Sequence, residues 1–180
     1  MKLLLTMALI TLQASSVSLR FSPESERFAD ATKEYQRIWE AEGKKIIQVM
    51  GEISGLEFGS QDIQVIIFEG ASNSGFGDSP MRLRASYSPS IKKATLVHEL
   101  GHRLNAQIKS RPDGIDEHRV LFLYLYDVWT KLYGKSFADE AVEVEKGRKG
   151  LYDYEAAWKW ALALSGRERA ERLRSLASKR

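Results

Sequence analysis

The sequence predicts an α+β fold in which a small mixed sheet and long helices share the first part of the chain and everything after it is helical. Three observations carry this. Residues 63–68, Ile-Gln-Val-Ile-Ile-Phe, are a β-branched run of strand length, and residues 83–88 read as a second, shorter strand. Residues 23–54 place Phe28, Ala31, Tyr35, Ile38, Trp39, Ile46, Val49, Met50 and Ile53 on one helical face. From residue 117 onward the helical period persists with no strand-like run.

Composition sets the bounds. The 180 residues are 43% hydrophobic and 28% charged, enough for one ordinary domain with a real core. There is no cysteine, which excludes disulfides, a thiolate metal site and a cysteine nucleophile. A net charge of +3 is mild, so composition gives a nucleic-acid partner little support and none is expected. No repeat, low-complexity tract or long linker divides the chain. Residues 1–180 are therefore expected to form a single domain with two lobes, residues 17–110 holding the sheet and residues 111–180 the helical part.

The N-terminus has two readings. Met1 and Lys2, the apolar residues 3–12 and the small residues 14–16 match a secretory signal, and the apolar run is too short to span a membrane. The other reading is a buried first strand, and Val17, Leu19 and Phe21 alternate as a strand does. Localisation, cytoplasmic or exported, stays open at this point.

Ser22-Pro23-Glu24 opens the long helix with a cap, a proline suited to the first turn and an acid for the dipole; its apolar stripe lapses at Glu42 and Gly43, where a break is expected. Residues 69–80, rich in glycine and serine, form a loop. A helix follows, capped by Ser90 after Pro89, with Ala94, Val97, Gly101, Leu104 and Ile108 on one face, and it ends before the turn Arg111-Pro112-Asp113-Gly114. One helix is expected from Glu117 to Leu132, then helices over 137–149 and 152–164, and a short basic helix opened by Ser165-Gly166.

The chemistry lies in His98-Glu99-Leu100-Gly101-His102. The chain has only three histidines, and two of them stand four residues apart on a helix. They share a face and are able to hold one metal ion, while Glu99, turned about 100° aside, points at the water that the ion acidifies. Gly101 costs the helix about 1 kcal/mol relative to alanine. Clearance for a crossing helix that brings a further ligand would account for it.

This motif, with its apolar approach and the Asp116-Glu117-His118 cluster behind a short turn, resembles the zincin superfamily of metallopeptidases, and most closely the gluzincin type. The resemblance is strong over the five motif residues and moderate over residues 84–130. Arg103 departs from the family's uncharged residue at that position, and Asn105 and Ile108 exclude the metzincin extension. The resemblance implies a zincin-like fold with the active site between two lobes, a Zn(2+) cofactor held by His98, His102 and a downstream acid, and Glu99 as general base. It also implies a peptide or protein substrate that pairs its backbone with the edge strand at residues 83–88, where Arg84 and Tyr87 otherwise serve only to protect an exposed edge.

Family spacing would place the third ligand at the apolar Leu121 or Phe122. Glu117 is the first choice instead, because the Asp113–Gly114 turn brings it back to face the motif; His118 is second and Asp116 third. Acids are also favoured at a helix N-terminus by the dipole alone. If His118 is not a ligand it is a candidate oxyanion donor, together with Tyr124, Tyr152 and Tyr154, while Asp127 is a candidate to orient a histidine. The expected function is zinc-dependent hydrolysis of peptide bonds. The alternatives are a non-catalytic zinc-stabilised interaction domain and a basic helical nucleic-acid-binding protein.

Overall fold

The computed structural model describes residues 17–109, 111–149 and 152–178. The choice between a signal and a strand at residues 1–16 lies outside them. Strand β1, Val17–Pro23, is followed by a short turn of 3-10 helix at Glu26–Phe28, helix α1, Ala29–Ser54, and strands β2, Gln61–Phe68, and β3, Met81–Arg84. The rest is helical: α2, Pro89–Asn105; α3, Glu117–Phe122; α4, Leu125–Tyr133; α5, Lys135–Lys146; α6, Tyr154–Leu162; and α7, Gly166–Ala177. The α+β class holds. No helix among the described residues is long and apolar enough to cross a membrane.

The sheet is not mixed. Its order is β1-β2-β3 and both pairings are parallel, with Val17 opposite Gln61 and Val65 opposite Met81. Parallel neighbours need a crossover of a dozen or more residues. Helix α1 supplies the first and lays Tyr35, Ile46, Val49 and Met50 in the core shared with Ile63, Val65 and Ile67 of β2. Residues 69–80 supply the second without a helix, so this loop runs back along the outer edge of β3, where Asn73 makes an antiparallel bridge to Arg82.

Several local expectations change. Helix α1 passes unbroken through Glu42 and Gly43, because the missing side chain at Gly43 leaves room for the Trp39 ring; a Cβ there would lie 2.7 Å from it. The cap of α2 is Ser88, whose hydroxyl accepts from the Ile91 amide, and Pro89, with no N–H to satisfy, takes the first helical position. The expected helix from Glu117 to Leu132 is two helices. Its turn tightens at Leu123 and Tyr124, whose amides bond three residues back to Val120 and Leu121, and Tyr124 leaves the helical range at φ −138°, so α4 starts anew at Leu125. Helix α3 packs on α2 and α6, while α4 packs on α5, α1 and α2.

Gly101 has the expected function of clearance. A Cβ there would stand 2.3 Å from Leu121 Cδ1 on α3, so the glycine lets the two helices approach closely enough for α3 to face the motif.

Candidate metal centre

Helix α2 carries His98, Glu99 and His102, all buried. Helix α3 brings His118, buried as well, beside them. Its ring centroid lies 5.5 Å from that of His98 and 4.7 Å from that of His102. One nitrogen from each of the three rings falls within 4.8 Å of the others, and the Nε2 atoms of His98 and His102 are 3.0 Å apart. Every histidine in the chain is in this cluster.

The opposite ring nitrogens each face a carboxylate. His98 Nδ1 lies 2.6 Å from Glu145 Oε1, and His102 Nδ1 lies 3.2 Å from Glu117 Oε1. Both contacts are close, though neither is well aligned. A carboxylate facing Nδ1 favours a proton there, and a neutral imidazole protonated at Nδ1 presents Nε2 as a lone pair. Two such nitrogens 3.0 Å apart repel unless a proton or a metal cation is shared between them. The third ring suits the same ion. Burial, then the neighbouring His98 and His102, push the His118 pKa down to about 2, so this imidazole is neutral at working pH, and its buried Nδ1 has no hydrogen-bond partner. Ligands held at about 2.0–2.1 Å by one ion stand at most about 4.2 Å apart, so rings whose nitrogens lie within 4.8 Å of one another would draw slightly closer to hold it.

Glu145 is held firmly. Burial alone would raise its pKa, but His98, Arg148 and the Trp158 indole, which donates to Oε2 at 3.0 Å, bring it down to about 2. Glu117 is likewise held below the usual carboxylate range by the facing His102 N–H, against the effect of its burial. Both carboxylates therefore stay charged and orient the imidazoles.

The expected site residues thus sort themselves by geometry. His98 and His102 converge as read from the motif, and Glu99 lines the cleft in front of them. His118 is the residue that joins the two motif histidines in the cluster, while Glu117, the first choice for third ligand, lines the same cleft with its carboxylate against His102 Nδ1. Asp116 caps α3 by accepting from the Arg119 amide at 2.8 Å and is occupied there. Tyr124 is not an oxyanion donor: it is buried in the core, its hydroxyl lies 3.1 Å from the Gly101 carbonyl and 3.0 Å from Asn105 Oδ1, and burial raises its pKa. Asp127 pairs with Arg169 at 2.6 Å and orients no histidine. Tyr152 and Tyr154 do line the cleft, with ring centroids 4.4 and 4.6 Å from His118.

Glu145 was missed from sequence, although a signal existed. Ala138, Ala141 and Val142 form the buried stripe of α5, and residue 145 continues it with a charge where an apolar side chain belongs. A charge in a core stripe asks for a buried partner. The remaining wall of the cleft, of about 200 Å³, comes from Ser72, Asn73, Ser74 and Phe76 of the β2–β3 loop.

The edge of β3 is closed to a substrate. The Arg82 amide and carbonyl both pair with Asn73, the Arg84 amide donates to Ser72 Oγ, and the Arg84 carbonyl accepts from the Tyr35 hydroxyl. Arg103, the residue that departs from the zincin habit, explains part of this. Its guanidinium donates to the Ser74 carbonyl at 2.8 Å and the Ser79 carbonyl at 2.9 Å, pinning the loop to the motif helix.

No protein-family model, no curated protein and no solved structure matches the chain.

Proposed function

We propose that this chain is a zinc-dependent hydrolase of peptide bonds, with His98, His102 and His118 as metal ligands and Glu99 as general base. The observation that carries the reading is the pair of facing Nε2 atoms, each backed by a carboxylate, with a third neutral imidazole beside them and Glu99 in the same cleft. Cysteine being absent, imidazole suits zinc as a ligand. When bound, zinc supplies a Lewis acid that polarises a carbonyl and acidifies water to a pKa of about 7.

The chain's own groups do the remaining work. Glu99 accepts the water proton and returns it to the leaving amine. Glu145 and Glu117 keep the two motif imidazoles in one tautomer and orientation. Burial raises the Tyr154 pKa, so its phenol keeps its proton and is the donor of choice for the developing oxyanion. A zincin-like arrangement is part of this proposal and draws its support from the motif helix and the crossing ligand helix.

The zinc-stabilised interaction domain is the weaker reading. Structural zinc normally has four protein ligands, whereas the described residues converge three imidazoles on an open cleft that also holds a carboxylate. The test is Glu99→Gln in zinc-loaded protein. It should retain the metal and the fold while losing hydrolysis of a peptide mixture by about 10²- to 10⁴-fold. Unchanged digestion by that variant would exclude Glu99 as the base.

A further inference from the structure

We propose that the cleft recognises its substrate by one apolar side chain packed against Phe76 and Tyr152, and not by pairing the substrate backbone with β3. This rests on the hydrolase reading above.

The main-chain route is already taken. The outward groups of β3 at Arg82 and Arg84 bond to Asn73, Ser72 and Tyr35. The loop that covers them cannot substitute as a pairing edge at its two central residues, since the Asn73 carbonyl accepts from Arg82 and the Ser74 carbonyl from Arg103. Arg84 Nε also donates to the Gly70 carbonyl at 2.9 Å, so the loop is fastened at its start, middle and end. A substrate must therefore be read by its side chains.

Two side chains are displayed for that purpose. Among the described residues four large hydrophobics are exposed, and two of these, Phe76 at 54% and Tyr152 at 44%, line the metal cleft. Exposing an aromatic ring forgoes the burial it would gain in the core, so two on one reactive cleft ask for a ligand. The backbone is built to present Phe76. It sits between Gly75 and Gly77, both at positive φ, and a Cβ on Gly75 would lie 2.4 Å from the Ser79 and Pro80 carbonyl oxygens. No other residue keeps this turn.

Charge selects the chemistry. Apart from the metal, which the reacting group itself occupies, the cleft lining holds Glu99 and Glu117 and no lysine or arginine, and Arg148 behind it is engaged by Glu145, so an acidic side chain finds no free counter-ion there. A volume of about 200 Å³ takes one side chain beside the reacting carbonyl rather than several.

Hydroxamates that bind zinc separate this inference from the metal reading. Zinc-loaded full-length protein is titrated calorimetrically with acetohydroxamate, hydrocinnamohydroxamate, which adds a phenylethyl group, and the half-hydroxamate of succinic acid. The phenyl compound should bind about tenfold more tightly than acetohydroxamate, and the acidic one no more tightly. Phe76→Ser should remove most of the phenyl gain while acetohydroxamate affinity and zinc content stay unchanged, Phe76→Leu should restore part of it, and Tyr152→Ser should lower the ratio of phenyl to acetohydroxamate affinity in zinc-loaded protein. Equal affinity for the phenyl and methyl compounds, or a phenyl gain that survives both serine variants, overturns the inference and leaves the metal reading standing. Zinc-loaded protein that binds no acetohydroxamate overturns both.

Discussion

At the scale of single residues, the proposed site divides its labour between imidazoles and carboxylates. His98→Ala, His102→Ala and His118→Ala should each abolish stoichiometric zinc in elemental analysis, because each removes one of three ligands. Glu145→Gln should keep the fold and weaken zinc about 10- to 100-fold, since an amide still fills the pocket but holds the His98 N–H less strongly. Glu117→Ala should fall in the same range and not lower, which a metal titration reads directly. Complete loss of zinc in Glu117→Ala would return that carboxylate to the ligand set. His98, Glu99 and His102 were legible in the sequence because their spacing is itself the geometry of a helix face. The convergence of His118 on them was not. Adjacent residues on a helix point about 100° apart, so the choice between Glu117 and His118 depended on the rotation of α3, which the packing of Leu121 against Gly101 sets and no local pattern encodes.

At the scale of elements, the decisive contact is the crossing of α2 and α3. Gly101→Ala would gain about 1 kcal/mol of helix propensity but would press on Leu121, a fully buried side chain with little room to move. Overpacking of this kind costs about 1–3 kcal/mol, so the variant should melt lower by thermal unfolding and also bind zinc less tightly as α3 is pushed away. A variant that melts higher with zinc affinity intact would show that the clearance is not needed. The strands and most helices could be read from period, and Ser165 with Glu168 forms the full capping box that opens α7, whereas Ser22 and Pro23 end β1 in place of capping α1. What could not be read was the course of the β2–β3 loop. Its glycines and serines announced a loop, but that it runs back along β3 and closes the sheet edge follows from the strands being parallel, which strand patterns alone do not state.

At the scale of the whole molecule, the three imidazoles at the cleft and Glu145 behind them are buried polar groups, and the metal-free protein should show this in its response to acid. His118 has its pKa pushed down to about 2 by burial, so below its ordinary value of 6.5 the unfolded chain binds a proton that the folded chain refuses. Glu145, also held at about 2 against an ordinary 4.5, adds to this from below that value. In both cases stability is full at higher pH and falls as pH drops, from about 6.5 for the histidine and about 4.5 for the glutamate. The melting temperature of the apo protein should therefore decline steadily on acidification below pH 6.5, and His118→Phe should flatten the upper part of that slope. A flat profile between pH 6.5 and 4.5 would contradict a buried neutral His118. Zinc should raise the melting temperature at neutral pH by mass action, because the folded state alone assembles the three rings.

The claim on which the rest depends is that three imidazoles hold one zinc ion. X-ray absorption at the zinc edge, on purified protein whose metal content has been measured, tests it most directly. The account predicts about one zinc per chain in a shell of three nitrogen ligands at about 2.0–2.1 Å and one oxygen from water. Well-folded protein that takes up no zinc, or a shell with two nitrogens and a carboxylate in place of the third, would contradict it.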